Sequence, residues 1–162
     1  MWQSFTGNEE DAIRAEQAVG RDMAQVVRED ATGPPDQEIQ NLLDDITAQL
    51  ADRVKNRALH FEVMAVNGNH ATAFALPGGF IFVAPALVTL AEHDRDELAF
   101  VIGHEMAHVI KRHAIDRILS QKALSMASLA TPAARTIAPW IRTVGVQWLE
   151  KAYSREQEFE AD

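Results

Sequence analysis

DRDELAFVIGHEMAHVIKRH, residues 94–113, is the stretch on which the reading of this chain turns. Asp94 is placed to cap a helix, with Glu97 three residues on. Leu98, Val101, Ile102, Met106, Val109 and Ile110 then surround the axis with apolar groups, and Lys111 and Arg112 give it a basic end. This pattern predicts a helix over residues 95–119, buried on most of its sides. Inside it lies His104-Glu105-Met106-Ala107-His108, an H-E-x-x-H spacing. Residues four apart on a helix differ by only about 40°, so His104 and His108 point from one face and can hold one zinc ion. Glu105 lies about 100° from His104, near such an ion without being needed as a ligand, which suits a general base. Polar groups in so apolar a helix need partners, and a metal supplies them.

A catalytic zinc has three protein ligands and one open position. A third histidine in the metzincin manner is excluded, because position 114 is Ala114 and position 111, where that pattern has glycine, is Lys111. His113 lies about 140° around a regular helix from His108, which leaves it as a polar residue near a helix end. A carboxylate from another helix is the better source. The chain closes on Ser154-Arg155-Glu156-Gln157-Glu158-Phe159-Glu160-Ala161-Asp162. Glu158 and Asp162 are four apart, and so are Glu156 and Glu160, so spacing does not choose between the pairs. In either pair the first acid could ligate and the second orient a ligand imidazole.

Outward from this helix, Glu9–Glu29 and Asp36–Val54 read as amphipathic helices separated by the ATGPP turn at residues 31–35. The period changes to two at Leu59, Phe61, Val63 and Ala65, predicting a strand. Asn67-Gly68 predicts a tight hairpin into a second strand over Ala71–Leu76, and Pro77-Gly78-Gly79 a turn into Phe80–Val83. Pro85 opens a short helix to Ala91. Residues 121–129 read as helical, 131–139 as irregular, and 140–162 as a helix carrying the third ligand. The expected whole is one α+β domain over residues 1–162, mainly helical with a small antiparallel sheet: N-terminal helices 9–54, sheet 59–83, active-site helix 95–119 and ligand helix 140–162.

Composition narrows the chemistry. The 162 residues contain no cysteine, which removes disulfides, thiolate metal sites and thiol nucleophiles and leaves histidine and carboxylate as metal ligands. A net charge of -9 argues against nucleic acid as a partner and against charge-driven binding to anionic membranes. The charge-free run Val63–Ala91 is interrupted by Asn67-Gly68, Pro77-Gly78-Gly79 and Pro85, so no membrane span is expected. The apolar segment Ala123–Pro139 could touch a membrane surface or line a groove, and packing is the preferred reading. No leader peptide is evident at the N-terminus.

Three blocks give the chain a specific likeness. TAFALPGG (72–79), ELAFVIGHEMAHVIKRH (97–113) and SREQEFEAD (154–162) resemble, in order, blocks of the gluzincin family that includes HtpX, the CAAX-prenyl endopeptidases and the soluble BepA-type peptidases. The resemblance implies a zincin-like fold and a zinc endopeptidase acting on proteins or peptides, with a part in protein quality control. It implies His104, His108 and Glu158 as zinc ligands, Glu105 as the base and Asp162 as the residue orienting a ligand. It implies Ala73, Phe74, Ala75 and Leu76 as the edge strand holding an extended substrate. Thr72 stands where the family has asparagine, which alters any contact the amide would make. The family continues beyond the point corresponding to Asp162, so a catalytic core cut short is expected, with the oxyanion-stabilising group unassigned; Tyr153 and Arg155 are candidates. The soluble branch implies a bacterial periplasmic or other extracytoplasmic site. Two other readings are compatible with the same residues: a chaperone or assembly factor with a latent metal site, and a non-catalytic structural metal domain.

Overall fold

A computed structural model describes residues 9–67, 72–118 and 155–162. Two helices come first, α1 (Glu9–Asp30) and α2 (Gln37–Ala51). Asp36 starts α2 by accepting from the backbone N–H groups of Glu38 and Ile39, which satisfies donors that a helix start otherwise leaves open. Three short strands follow, β1 (Glu62–Ala65), β2 (Ala73–Leu76) and β3 (Phe80–Val83). α3 (Pro85–Leu90) leads to α4 (Arg95–Ile110), capped by Asp94 through the N–H groups of Asp96 and Glu97. Residues 113–118 are helical again, and α5 (Arg155–Ala161) closes the described chain. Among the described residues no helix is long and apolar enough to cross a membrane. The Asn67-Gly68 turn, the segments predicted at 121–139, residues 140–154 of the ligand helix and Tyr153 fall wholly or partly outside the described residues.

The sheet corrects the expected topology. Its order is β1-β3-β2, with β2 antiparallel to β3 but β1 parallel to it, so the sheet is mixed rather than antiparallel. Asn67 does not turn β1 onto β2; its side-chain amide donates to the carbonyl of Thr32 at 2.8 Å, tying the strand's end to the α1–α2 connection. β3 then fills the place beside β1. The outer edge of β1 is closed by Gln40 of α2, whose amide donates to the Val63 carbonyl at 2.9 Å and accepts from the Ala65 N–H at 2.8 Å. This side chain stands in for a neighbouring strand and covers an edge that would otherwise invite pairing.

Alternation sorts the sheet's side chains into two cores. Phe74, Leu76, Phe80 and Phe82 pack with Met23, Ala24 and Val27 of α1 and with Ala114, Ile115 and Ile118. Val63, Ala65, Ala75, Ile81 and Val83 face the other way, onto Leu43 and Ile46 of α2 and Leu98, Ile102, Met106 and Val109 of α4. The sheet is therefore a middle layer, covered by helix on both faces, and α4 lies directly against it. On β2, the Ala84 N–H donates to the Thr72 carbonyl at 2.9 Å. Antiparallel alternation then points the backbone groups of Ala73 and Ala75 away from β3, toward the strand's other edge.

The predicted helix 95–119 is interrupted. α4 ends at Ile110, Lys111 is its C-cap, and Arg112 takes a left-handed conformation, φ 62°, before helix resumes at 113. The Arg112 guanidinium is paired with Glu16, a buried acid of α1, which holds the break against the N-terminal helix. Burial pushes the Glu16 carboxyl up, against the opposing pull of Arg112.

Candidate metal centre

α4 brings its two histidines to one face, as the spacing requires. The Nε2 atoms of His104 and His108 lie 3.1 Å apart. α5 places Glu158 beside them, its Oε2 3.1 Å from His104 Nε2 and 3.8 Å from His108 Nε2. Two ring nitrogens and a carboxylate oxygen thus face one another. Hydrogen bonding cannot satisfy such a triangle of lone-pair atoms throughout, whereas a cation at its centre satisfies all three. Its edges suit a tetrahedral zinc with bonds of about 2.0–2.1 Å, whose ligands stand about 3.3 Å apart. These three residues are the group that could hold a metal ion among the described residues.

The surroundings orient both imidazoles and keep that of His108 neutral. His108 is fully buried. Burial, reinforced by His104, His113 and Arg117, pushes its pKa down to about 4, against a smaller opposing effect of Asp162. Asp162 Oδ1 lies 3.1 Å from His104 Nδ1, where a carboxylate favours the proton on Nδ1 and leaves Nε2 to face the site. His113 is also buried, with its Nδ1 2.9 Å from His108 Nδ1 and its Nε2 3.1 Å from Glu160 Oε2. His113 is thus no solvated residue at a helix end. The angular argument that separates it from His108 holds for a regular helix, and the break at Lys111 and Arg112 removes that premise.

Glu105 is buried one residue along from His104, and Oε2 has no hydrogen-bond partner among the described residues. Its carboxyl accepts from the backbone N–H of Ala75, on the outer edge of β2. Burial pushes its pKa up to about 7, with His104 opposing and Glu158 adding to the rise. An unpartnered buried carboxylate oxygen costs free energy unless a proton, a water or a ligand meets it. Ala73, Phe74, Ala75 and Leu76 form β2, with Phe74, Ala75 and Leu76 buried at the side chain. Arg155 and Glu156 are exposed on the first turn of α5, and Thr72 is exposed before β2. Glu160 and His113 are the participants that helical spacing alone did not reveal. Each sits beside a recognised ligand, but their meeting depends on a chain break that no glycine, asparagine or proline announces.

Comparison with known proteins follows this geometry. The model of Peptidase family M48 matches residues 36–162. The mitochondrial metalloendopeptidase OMA1 of Arabidopsis thaliana is 35% identical over 105 residues, covering 64% of this chain and 21% of the relative. The protein of that name from Schizosaccharomyces pombe is 30% identical over 108 residues, covering 64% of this chain and 31% of the relative. The chain therefore spans about a fifth to a third of the length of these relatives. These matches correct two expectations. The likeness does not single out the HtpX or BepA-type branch, and the expected bacterial periplasmic site is overturned, since the relatives are named as mitochondrial enzymes. The reason is physical: the motifs carry side chains for chemistry that is the same in any compartment, and nothing in them reports location. The chain belongs to peptidase family M48.

Proposed function

We propose that this chain is the catalytic core of a zinc endopeptidase that cleaves unfolded or extended protein segments, in the service of protein quality control. One observation carries the reading: the convergence of His104, His108 and Glu158 on a point where a metal ion could be held, beside a buried carboxylate with an unpartnered oxygen. When bound, zinc supplies Lewis acidity at the scissile carbonyl and acidifies an attacking water. The residues do the remaining work. Glu105 accepts the water's proton at its buried carboxyl and returns it to the leaving amine. Asp162 holds the His104 ring in register. The outward backbone groups of Ala73 and Ala75 offer an extended peptide a strand to pair with, which gives affinity without demanding a particular sequence. The Ala75 N–H, held by Glu105 here, lies at the junction of substrate strand and base.

Glu105→Gln tests this directly. The variant is expected to retain one zinc per chain by elemental analysis and to cleave an unfolded protein such as casein about 10²–10⁴-fold more slowly than the parent. Undiminished cleavage by a zinc-loaded Glu105→Gln chain would remove Glu105 from the mechanism and the proposal with it.

A further inference from the structure

We propose that His113 and Glu160 are positioning residues for the metal ligand His108: together they fix its proton on Nδ1 and so present its Nε2 lone pair to the site. This rests on the metal reading above and extends it to two residues outside the ligand triad. The geometry is a row of three groups. Glu160 Oε2 stands 3.1 Å from His113 Nε2, and His113 Nδ1 stands 2.9 Å from His108 Nδ1. Each contact needs one hydrogen, and a ligating imidazole and the one that orients it each carry one N–H and one bare nitrogen. Only two proton orders are then possible. A carboxylate at the outer end can only accept, so His113 carries its hydrogen on Nε2, its Nδ1 is bare, and His108 must donate from Nδ1. His108 Nε2 is then bare and able to bind a metal. In the reverse order the outer group donates, His113 donates from Nδ1, and His108 carries its hydrogen on Nε2, pointed at His104 Nε2 3.1 Å away. That order closes the site. The charge at position 160 thus selects the metal-ready order from a distance of two imidazoles.

The placement is economical. His113 is buried at 4% exposure, so its ring is held by packing, whereas Glu160 is well exposed and can be changed with little effect on the fold. α5 and the residue that follows it consequently supply three carboxylates with separate tasks: Glu158 faces the ligand triangle, Asp162 faces His104, and Glu160 faces the row behind His108.

Two measurements on the full chain decide the matter. Nitrogen-15 imidazole shifts of the metal-free protein are expected to show His108 protonated on Nδ1 and His113 on Nε2, and Glu160→Gln, whose amide can donate as well as accept, is expected to mix the tautomers. Competition with a chromophoric zinc chelator is expected to show about a tenfold weaker zinc affinity for Glu160→Gln and about 10–100-fold for His113→Phe, with His113→Gln, which keeps an acceptor, recovering part of the loss. Thermal unfolding of metal-free Glu160→Gln is expected to match the parent, which separates orientation from folding. A parent His108 protonated on Nε2, or a Glu160→Gln chain with unchanged tautomers and zinc affinity within about twofold of the parent, overturns the proposal. A parent that shows the expected shifts but binds no zinc overturns the metal reading and leaves the proton order standing.

Discussion

Glu105 is where burial and chemistry meet most sharply. Its pKa stands near 7 against an ordinary 4.5, so the folded metal-free chain holds this proton more tightly than the unfolded chain does. The sign of the linkage follows. Below pH 4.5 both states are protonated and the group is neutral in its effect. Between pH 4.5 and 7 the unfolded state releases the proton first, and stability falls as pH rises. Above pH 7 the loss is complete, about 3 kcal/mol by the ordinary conversion of a pKa shift. Glu105→Gln has no proton to lose there. Urea unfolding of the metal-free chains at pH 4.5, 6 and 8 is therefore expected to show the variant gaining on the parent by a few kcal/mol across the series. A difference that does not change with pH would mean that Glu105 is ionised at no cost in the folded state. At this scale the sequence was most legible where the spacing is helical: His104, Glu105 and His108 share a continuous helix, so periodicity places them. Glu158 needed the family likeness to separate it from Glu156. His113 was illegible because Arg112 carries the left-handed turn without a residue type that advertises it, and its stabilisation comes from Glu16, 96 positions away.

Helices and strands were legible as elements and less so as a topology. Caps at Asp36 and Asp94 mark both helix starts, because the side-chain bonds that form them are local. The parallel pairing of β1 with β3 depends instead on Gln40 and Asn67 contacting other parts of the chain, information that a two-residue period does not carry. One element-scale contact is strict. Gly20, in the middle of α1, lies against the Pro77-Gly78-Gly79 turn that precedes β3, and a Cβ there would stand 1.7 Å from the Pro77 carbonyl oxygen. Helix propensity alone predicts that Gly20→Ala stabilises the chain by about 1 kcal/mol. Contact predicts the opposite, since helix and turn must part to admit the methyl group, at about 2 kcal/mol or more net. A lowered urea midpoint for Gly20→Ala is expected; a raised one would mean that α1 does not seat on that turn. Gly79, with φ 97° and His60's carbonyl beside it, closes the other side of the same turn. The turn that delivers β2 to β3 is thus fixed from α1 and from the approach to β1.

For the molecule as a whole, the proposed metal site is also a joint. The body, formed by the sheet with α1 on one face and α2 and α4 on the other, has two apolar cores of its own. α5 has none: no residue of it is buried, and Phe159 is exposed. Carboxylate contacts to histidines, through Glu158, Glu160 and the following Asp162, are among its side-chain links to the body. Single carboxylate–imidazole hydrogen bonds of that kind contribute only about 1 kcal/mol each. A metal shared between α4 and Glu158 changes the balance, because binding to the folded arrangement alone stabilises it by mass action. Hydrogen exchange read by mass spectrometry is therefore expected to split the chain. In chelator, amides of residues 155–162 should exchange faster than those of β3 and α4 but well below the unfolded rate, since the carboxylate–histidine contacts keep the segment docked most of the time; with zinc, residues 155–162 should slow by at least about a further tenfold. Equal protection of this segment with and without metal would show that α5 docks by itself, and that the metal binds a finished site. Selective protection would mean that the ion fastens a segment that otherwise opens locally, so that loss of zinc loosens the acids orienting both histidines along with the ligand itself.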